Sequence, residues 1–470
     1  ATNTPPVSSS IRNPQSTIPN QLPCLMRAFS VDSKFTSLRD REKAMSNVVK
    51  ELERRGFIEQ VTDPEIYDRV EKEPITLYCG FDPSGESLHV GNLIPMMALA
   101  HFQRVGHRPI FLVGGATGMI GDPSGKDAER QLLTADTLAS NTEKIRVQME
   151  RFVSFEGEHS ARIVNNMDWL GKFSYIEFLR DVGKHFSVNV MIARESVKRR
   201  LEEREAGISY TEFSYMLLQA YDFYHLCKEY NCVLQVGGSD QWGNITAGID
   251  LTRRLLSKTV HGITFKLILT HDGKKIGKSE ANLGTVWLDG EKTAPYDYYQ
   301  YWVRMADVDV ARLLRLYTFL PEEEILSLDA ERGKQPEARI PQKRLAWEAT
   351  AILHGKGIAE KCRKCAEFLY GGNLEGATKE DFDDIFGFAP SASFPMTHLR
   401  HGINLVDFVL QAQGASSKSD ARRKITQGGV YINNQREGDI ERIVRTEDLL
   451  YGPYLVLRTG KNYHLVRFEE

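Results

Sequence analysis

The chain has 470 residues, 41% of them hydrophobic and 26% charged, and its 60 Lys and Arg against 63 Asp and Glu leave a net charge of -3. That length predicts about three domains with ample core, and the composition excludes a mainly disordered or fibrous chain. The charge balance excludes a global pull toward polyanions or membranes, so any nucleic-acid surface must be local, and the longest apolar stretch, near Leu93 to Ala100, is far too short to span a bilayer.

Residues 1–31 hold no acidic residue, carry Arg12 and Arg27, and are rich in Ser, Thr and Pro without an apolar core. A secretory signal is excluded. The composition predicts a transit-peptide remnant within an extension over 1–45, hence a mitochondrial or plastid address, with a bacterial or cytoplasmic extension as the alternative. From Ser46 the spacing of Val48, Val49, Leu52, Phe57 and Ile58 predicts an amphipathic helix that Gly56 ends.

Beyond it, short apolar runs alternate with helical stretches. Strands are predicted at Ile75 to Phe81, Pro109 to Gly114, Arg162 to Asn165 and Val233 to Val236. Helices are predicted at Asn92 to Val105, Ser174 to Gly183, Thr211 to Tyr230 and after Gly243. This alternation predicts an α/β, Rossmann-like doubly wound parallel sheet over 46–290, with ligands bound where the strands' carboxyl ends open into loops. After Ala294 only helical spacing remains, which predicts a helical domain over 291–385. Pro390 and Pro395 predict a linker over 386–400. A compact α+β unit over 401–470 follows, with helices at Leu405 to Gln413 and Ser417 to Gln427 and strands at Val430 to Ile432, Tyr454 to Leu457 and Tyr463 to Phe468.

Six cysteines are too few for a disulfide scaffold, and Cys362-x-x-Cys365 has no second pair nearby to complete a zinc site, so no protein-bound metal is predicted. Five constellations carry chemistry. Tyr78-Cys79-Gly80-Phe81-Asp82-Pro83-Ser84-Gly85 followed by His89-Val90-Gly91-Asn92 lies between a strand end and a helix start, where a histidine can meet a phosphate and Gly91 lets a flat ring approach. Val113 to Lys126 is glycine-rich, yet Ile120 stands where a P-loop needs glycine and no dinucleotide register fits; Asp122 is then a candidate for a substrate ammonium. On the helix after Tyr210, Tyr215, Gln219 and Asp222 share one face amid apolar neighbours, and buried polar groups there need partners. Gln235 and Val236 run into Gly237-Gly238-Ser239-Asp240-Gln241-Trp242-Gly243-Asn244, suited to ribose and carboxylate contacts. Lys274-Lys275-Ile276-Gly277-Lys278-Ser279 can bring ammonium charge onto a triphosphate.

Together and in this order, these segments resemble the tyrosyl-tRNA synthetases, class I aminoacyl-tRNA synthetases of bacterial or organellar type. His89-Val90-Gly91-Asn92 matches that family's HIGH motif and Lys275 to Ser279 its KMSKS motif, and the last unit is similar to an S4-type RNA-binding domain. The resemblance implies a ligase that activates L-tyrosine with ATP and transfers it to tRNA(Tyr), a homodimer, and Mg2+ riding on the triphosphate. It implies that Tyr78 and Asp222 recognise the phenol, that Asp122, Tyr215 and Gln219 hold the ammonium, and that Gln235 and Gln241 support the amino acid. Gly80, Asp82, Gly238 and Asp240 would line the adenosine and ribose, with Cys79 at the ribose. Ser84 and His89 would contact the phosphates, Gly91 would also bind ATP, and His89 and Asn92 would belong to the catalytic set. Lys126, Arg130, Lys275, Lys278 and Ser279 would belong to mobile loops that close on the pyrophosphate. The helical domain would read the anticodon. Departures are Asn92 for the second HIGH histidine, Ser84 where Thr is common, and Ile276-Gly277 for Met-Ser; each keeps the main chemistry.

For RNA, the candidate basic surfaces are Lys198-Arg199-Arg200 and the helix bearing Lys418, Arg422, Arg423 and Lys424. A tryptophanyl enzyme shares the fold, but the pair Tyr78 and Asp222 and the C-terminal unit argue against it. An RNA-binding or splicing factor without ligase activity is the reading from another class, opposed by the intact Asp122, Gln219, Asp222, Lys275 and Lys278.

Overall fold

The computed structural model describes residues 47–122, 134–194, 197–198, 201–202, 207–279, 284–370, 379, 382–383, 391–450, 452–460 and 462–470. The first helix, Val48–Arg55, is capped by Asn47, whose side chain accepts the Lys50 N–H at 3.1 Å. It ends as expected at Gly56, but Ile58 does not belong to its face: it opens strand β1 (Ile58–Val61).

The central sheet comprises β1, β2 (Thr76–Phe81), β3 (Arg108–Val113), β4 (Arg162–Asn165), β5 (Cys232–Gly238) and β6 (His261–Phe265), in the order β1-β6-β5-β2-β3-β4. All neighbours run parallel except β1, which pairs antiparallel with β6. The doubly wound sheet is therefore present, with β1 and β6 as additions to the predicted strands. Chain order reverses between β2 and β5, where Tyr78 stands in register with Gln235. Helices such as Leu93–Arg104, Tyr210–Tyr230 and Trp242–Leu256 cover the sheet. Between β6 and the helical region, β7 (Lys278–Ser279) and β8 (Gly284–Thr285) form a small antiparallel pair.

Among the described residues the helices Pro295–Val303, Asp307–Tyr317, Glu322–Lys334, Ile340–His354 and Lys356–Tyr370 follow. They share one buried apolar core with the sheet region, from Val48 and Phe102 through Trp302 and Leu314. The segment expected as a linker needs correction, because Ser391–Pro395 is strand β9 and Phe394 lies in the core of the last unit. A proline is compatible with this strand because β9 is an edge strand and Pro395 closes it, where a missing N–H costs no ladder bond. In the last unit β10 (Ile403–Asn404) pairs with β13 (Ile443–Val444). The main sheet runs β12 (Gln435–Glu437), β11 (Val430–Ile432), β14 (Tyr454–Thr459), β15 (Asn462–Glu469), β9. Among the described residues no helix is long and apolar enough to cross a membrane.

Candidate active site

The carboxyl ends of β2 and β5, at the point where strand order reverses, open into a cavity of about 580 Å3. β2 delivers Tyr78, Cys79 and Gly80 and the following turn Asp82 and Ser84; β5 delivers Gln235 and Gly238, with Asp240 and Gln241 just beyond. The helix Tyr210–Tyr230 adds Tyr215, Gln219 and Asp222 from one side, so residues over 150 positions apart in sequence line one space.

At the floor, Tyr78 is fully buried and its hydroxyl finds no partner among the described residues. Phe223 packs edge-on against its ring at 5.3 Å. Asp222 is 1% exposed, and each of its oxygens takes a donor: Asn166 Nδ2 at 3.0 Å and Trp169 Nε1 at 2.8 Å. Burial pushes its pKa up to about 7 against the pull of those two donors, with nearby Asp82 adding to the rise. Burial also pushes the Tyr78 phenol well above its usual range and the Cys79 thiol up to about 12, so Cys79 is a neutral thiol in the wall.

Asn166 and Trp169 do not figure among the residues predicted from sequence. They follow β4, and Asn166 also donates to Thr117 Oγ1 at 2.9 Å and accepts the Ala116 N–H at 2.8 Å, tying the floor to the glycine-rich turn. The readable signal is polar Asn165-Asn166 at a parallel strand's carboxyl end, where β2 and β5 also place their chemistry.

A second network forms the side wall. Gln241 Nε2 donates to Asp122 at 2.7 Å, Gln219 donates to Gln241 at 3.2 Å, and Asn244 donates to Gln219 at 2.9 Å. Tyr215 donates to Asp82 at 3.3 Å, and the Gln235 side-chain oxygen is buried with no partner among the described residues. Asn244 is a further addition, lying in the predicted motif without an assigned role. These amides tie Asp122, Gln219, Gln241 and Asn244 into one hydrogen-bonded network along the side wall of the cavity.

At the mouth, His89 Nδ1 accepts the Gly91 N–H at 3.0 Å. A Cβ on Gly91 would stand 2.7 Å from the His89 ring, so only glycine lets the ring lie against the backbone there. Asn92, the counterpart of the second HIGH histidine, lines the cavity and directs its side-chain oxygen to the His89 N–H at 3.0 Å, closing a cap on the turn. Behind them Gln148, on the helix Ala135–Met149, accepts the Leu88 N–H at 3.0 Å and donates to Ser87 at 3.1 Å.

Lys275, Ile276 and Gly277 line the same mouth. Lys126 and Arg130 lie outside the described residues, as do Arg199 and Arg200 and the side chains of Lys278 and Ser279. On the C-terminal helix Lys418–Thr426, the expected basic face is partly self-neutralised. Arg423 and Lys424 pair with Asp420 at 2.6 and 3.1 Å, and Lys418 pairs with Asp407 at 2.7 Å; Arg422 is exposed.

Residues 70–370 match the family model described as tRNA synthetases class I (W and Y), and residues 384–466 match that of the tyrosine–tRNA ligase SYY-like C-terminal domain. The chain is 47% identical over 426 residues to a tyrosine–tRNA ligase of Roseiflexus castenholzii, covering 90% of this chain and 100% of that protein. It is 46% identical over 426 residues to one of Escherichia coli, covering 90% and 99%. Among solved structures it is similar to a truncated mitochondrial tyrosyl-tRNA synthetase of Aspergillus nidulans, with TM-score 0.63, 29% identity, and 71% of this chain and 99% of that one covered. The organellar address expected from residues 1–31 is overturned by these matches, because bacterial enzymes stand at 45% to 49% identity, well above the mitochondrial one at 29%.

Proposed function

The chain belongs to the class I tRNA synthetases of the tryptophan and tyrosine type and is a tyrosine–tRNA ligase acting on tyrosine, ATP and tRNA, and from that premise we propose which residues perform its two steps. A tyrosine carboxylate oxygen attacks the ATP α-phosphorus, the bond to the bridging oxygen breaks, and pyrophosphate leaves with that electron pair. A terminal ribose hydroxyl of the tRNA then attacks the tyrosyl carbonyl and AMP departs. No protein group is covalently modified, so the residues act through position and charge.

Tyr78 and Asp222 take the phenol hydroxyl, Asp122, Tyr215 and Gln219 the ammonium, and Gln235 and Gln241 flank the amino acid. The observation that carries this reading is the Tyr78 hydroxyl, buried beside the buried Asp222 with no partner among the described residues. A substrate hydroxyl satisfies it, whereas phenylalanine leaves it orphaned, a form of discrimination for which tyrosyl-tRNA synthetases are themselves the standard example. Asp222→Ala should erode the preference for tyrosine over phenylalanine in ATP–pyrophosphate exchange far more than it raises the KM for ATP. An unchanged preference would sink the assignment.

Gly80, Asp82, Gly238 and Asp240 run along adenosine and ribose, with Cys79 beside the ribose, and Ser84 and His89 face the phosphates. Because His89 Nδ1 accepts a backbone N–H, the neutral ring carries its proton on Nε2, a donor for a phosphate oxygen. Lys126, Arg130, Lys275, Lys278 and Ser279 supply positive charge and hydrogen bonds to the leaving pyrophosphate, and Mg2+ arrives on the triphosphate itself. Residues 291–385 read the anticodon, and the last unit holds tRNA through Arg422 and, on exchange of their ion pairs, Lys418, Arg423 and Lys424.

The active form is a homodimer joined through the segment between β4 and the helix Tyr210–Tyr230. In support, Tyr175, Ile176, Val188 and Val190 there are 54% to 69% exposed on neighbouring short helices, far more than isolated apolar side chains explain. Ile176→Glu with Val190→Glu should convert a dimer into a monomer by sedimentation velocity; a parent chain that sediments as a monomer would refute the assembly.

A further inference from the structure

The loop that carries Lys275 is held from outside the catalytic sheet. Gly277 N–H donates to the Tyr301 hydroxyl at 2.8 Å, and Tyr301 is a buried residue of the helix Pro295–Val303. Asp309, on the next helix, accepts from His271 twice, from its backbone N–H at 3.0 Å and from ring Nδ1 at 2.9 Å. Arg312 of that same helix donates to the Leu269 carbonyl. Three side chains of the helical region therefore grip residues 269–277 at both ends.

The grip fixes the loop against the histidine turn. Gly277 has φ +96, and a Cβ there would stand 2.9 Å from the Gly91 nitrogen, so the backbones of the two signature segments approach as closely as glycine permits. The Gly277 carbonyl accepts the Val286 N–H at 2.9 Å, so the buried peptide is satisfied on one side by the chain downstream and on the other by Tyr301. Tyr301 itself is not among the residues that line the cavity.

We propose that Tyr301 is a positioning residue for adenylate formation, seating Gly277 so that Lys275 meets the pyrophosphate at the cavity mouth, with Asp309 as its second anchor. The inference rests on the reading that this loop acts on pyrophosphate. Loss of one neutral hydrogen bond of this kind predicts that Tyr301→Phe lowers kcat/KM for ATP about fivefold. The KM for tyrosine and the fraction of molecules that form adenylate in a single-turnover burst stay unchanged. Asp309→Asn shifts the same parameter in the same direction.

The test is tyrosine-dependent ATP–pyrophosphate exchange on the full chain with Tyr301→Phe, Asp309→Asn, Lys275→Ala and the double variant Lys275→Ala with Tyr301→Phe. Because Tyr301 acts through the loop, the double variant should be no worse than Lys275→Ala alone. Fully additive losses, or a Tyr301→Phe loss shared equally with the KM for tyrosine and the active fraction, would overturn it in favour of a packing role. If Lys275→Ala impairs ATP kinetics while Tyr301→Phe does not, the Tyr301 assignment alone falls. If Lys275→Ala changes nothing, the reading of the loop falls and takes this inference with it.

Discussion

Asp222 combines deep burial with two fixed donors, and its raised pKa gives the apo protein a measurable signature. With a folded pKa of about 7 against an ordinary 3.8, the native chain binds more protons than the unfolded one between those values. The stability linked to this carboxyl is therefore fully present below about pH 4 and is lost as pH rises through about 7, with an upper bound of ~4 kcal/mol. Asp222→Asn removes the titration. Urea unfolding of the ligand-free protein from pH 5 to 8 should show the variant gaining on the parent as pH rises. A difference independent of pH would mean that the carboxyl is not raised. Asp222 stands out in the sequence because an aspartate on an apolar helical face needs a partner, whereas Tyr78 enters only through the family resemblance. Asn166 and Trp169 do not stand out, because their role exists only once β4 ends beside that helix, more than fifty positions from Asp222 in sequence.

Among elements, those with strong periodicity were read to within a residue or two, as with Arg162–Asn165 and Tyr210–Tyr230. Those missed break their own local rule. β6 carries Gly262, which weakens a strand in sequence, yet a Cβ there would meet Ile245 at 2.3 Å, so the glycine is what lets the helix Trp242–Leu256 settle on the sheet. The helix Lys418–Thr426 shows the opposite failure. Its basic residues were visible, but their engagement with Asp420 was not, and that pairing holds the Asp420 carboxyl far below the usual range, chiefly through the Arg423 hydrogen bond and then that of Lys424. Exposed pairs of this kind exchange readily for phosphate. Asp420→Ala should therefore tighten tRNA binding about threefold and steepen its salt dependence, while Arg422→Glu weakens it. Filter binding at several salt concentrations measures both, and tRNA affinity indifferent to either change would remove this helix from the interface.

At the scale of the molecule, the points where strand signals stop and restart mark out three regions in the sequence but say nothing of their physical union. The first helix and the helical region are joined by Arg55, only 5% exposed, which pairs with Glu51 at 2.6 Å. Its guanidinium also donates to the carbonyls of Arg315, Thr318 and Leu320 at 3.1, 3.2 and 2.7 Å. Those carbonyls close the helix Asp307–Tyr317 and the turn after it, so a single side chain caps an element some 260 positions downstream. In sequence Arg55 is one more cation in a last helical turn; only the fold converts it into a buried tether. Removing it strands buried carbonyls, at a cost of about 1–3 kcal/mol, while Glu51 keeps its pair with Arg54 at 2.7 Å. Arg55→Met, which keeps the apolar stem, should lower the calorimetric Tm of the ligand-free protein by several degrees. The same helix carries Asp309 and Arg312, so the loosened helix should also raise the KM for ATP while leaving the KM for tyrosine untouched. A variant with the parent's Tm would show that the Arg55 contacts contribute nothing, and a lowered Tm with unchanged ATP kinetics would separate the stability of that helix from its hold on the loop.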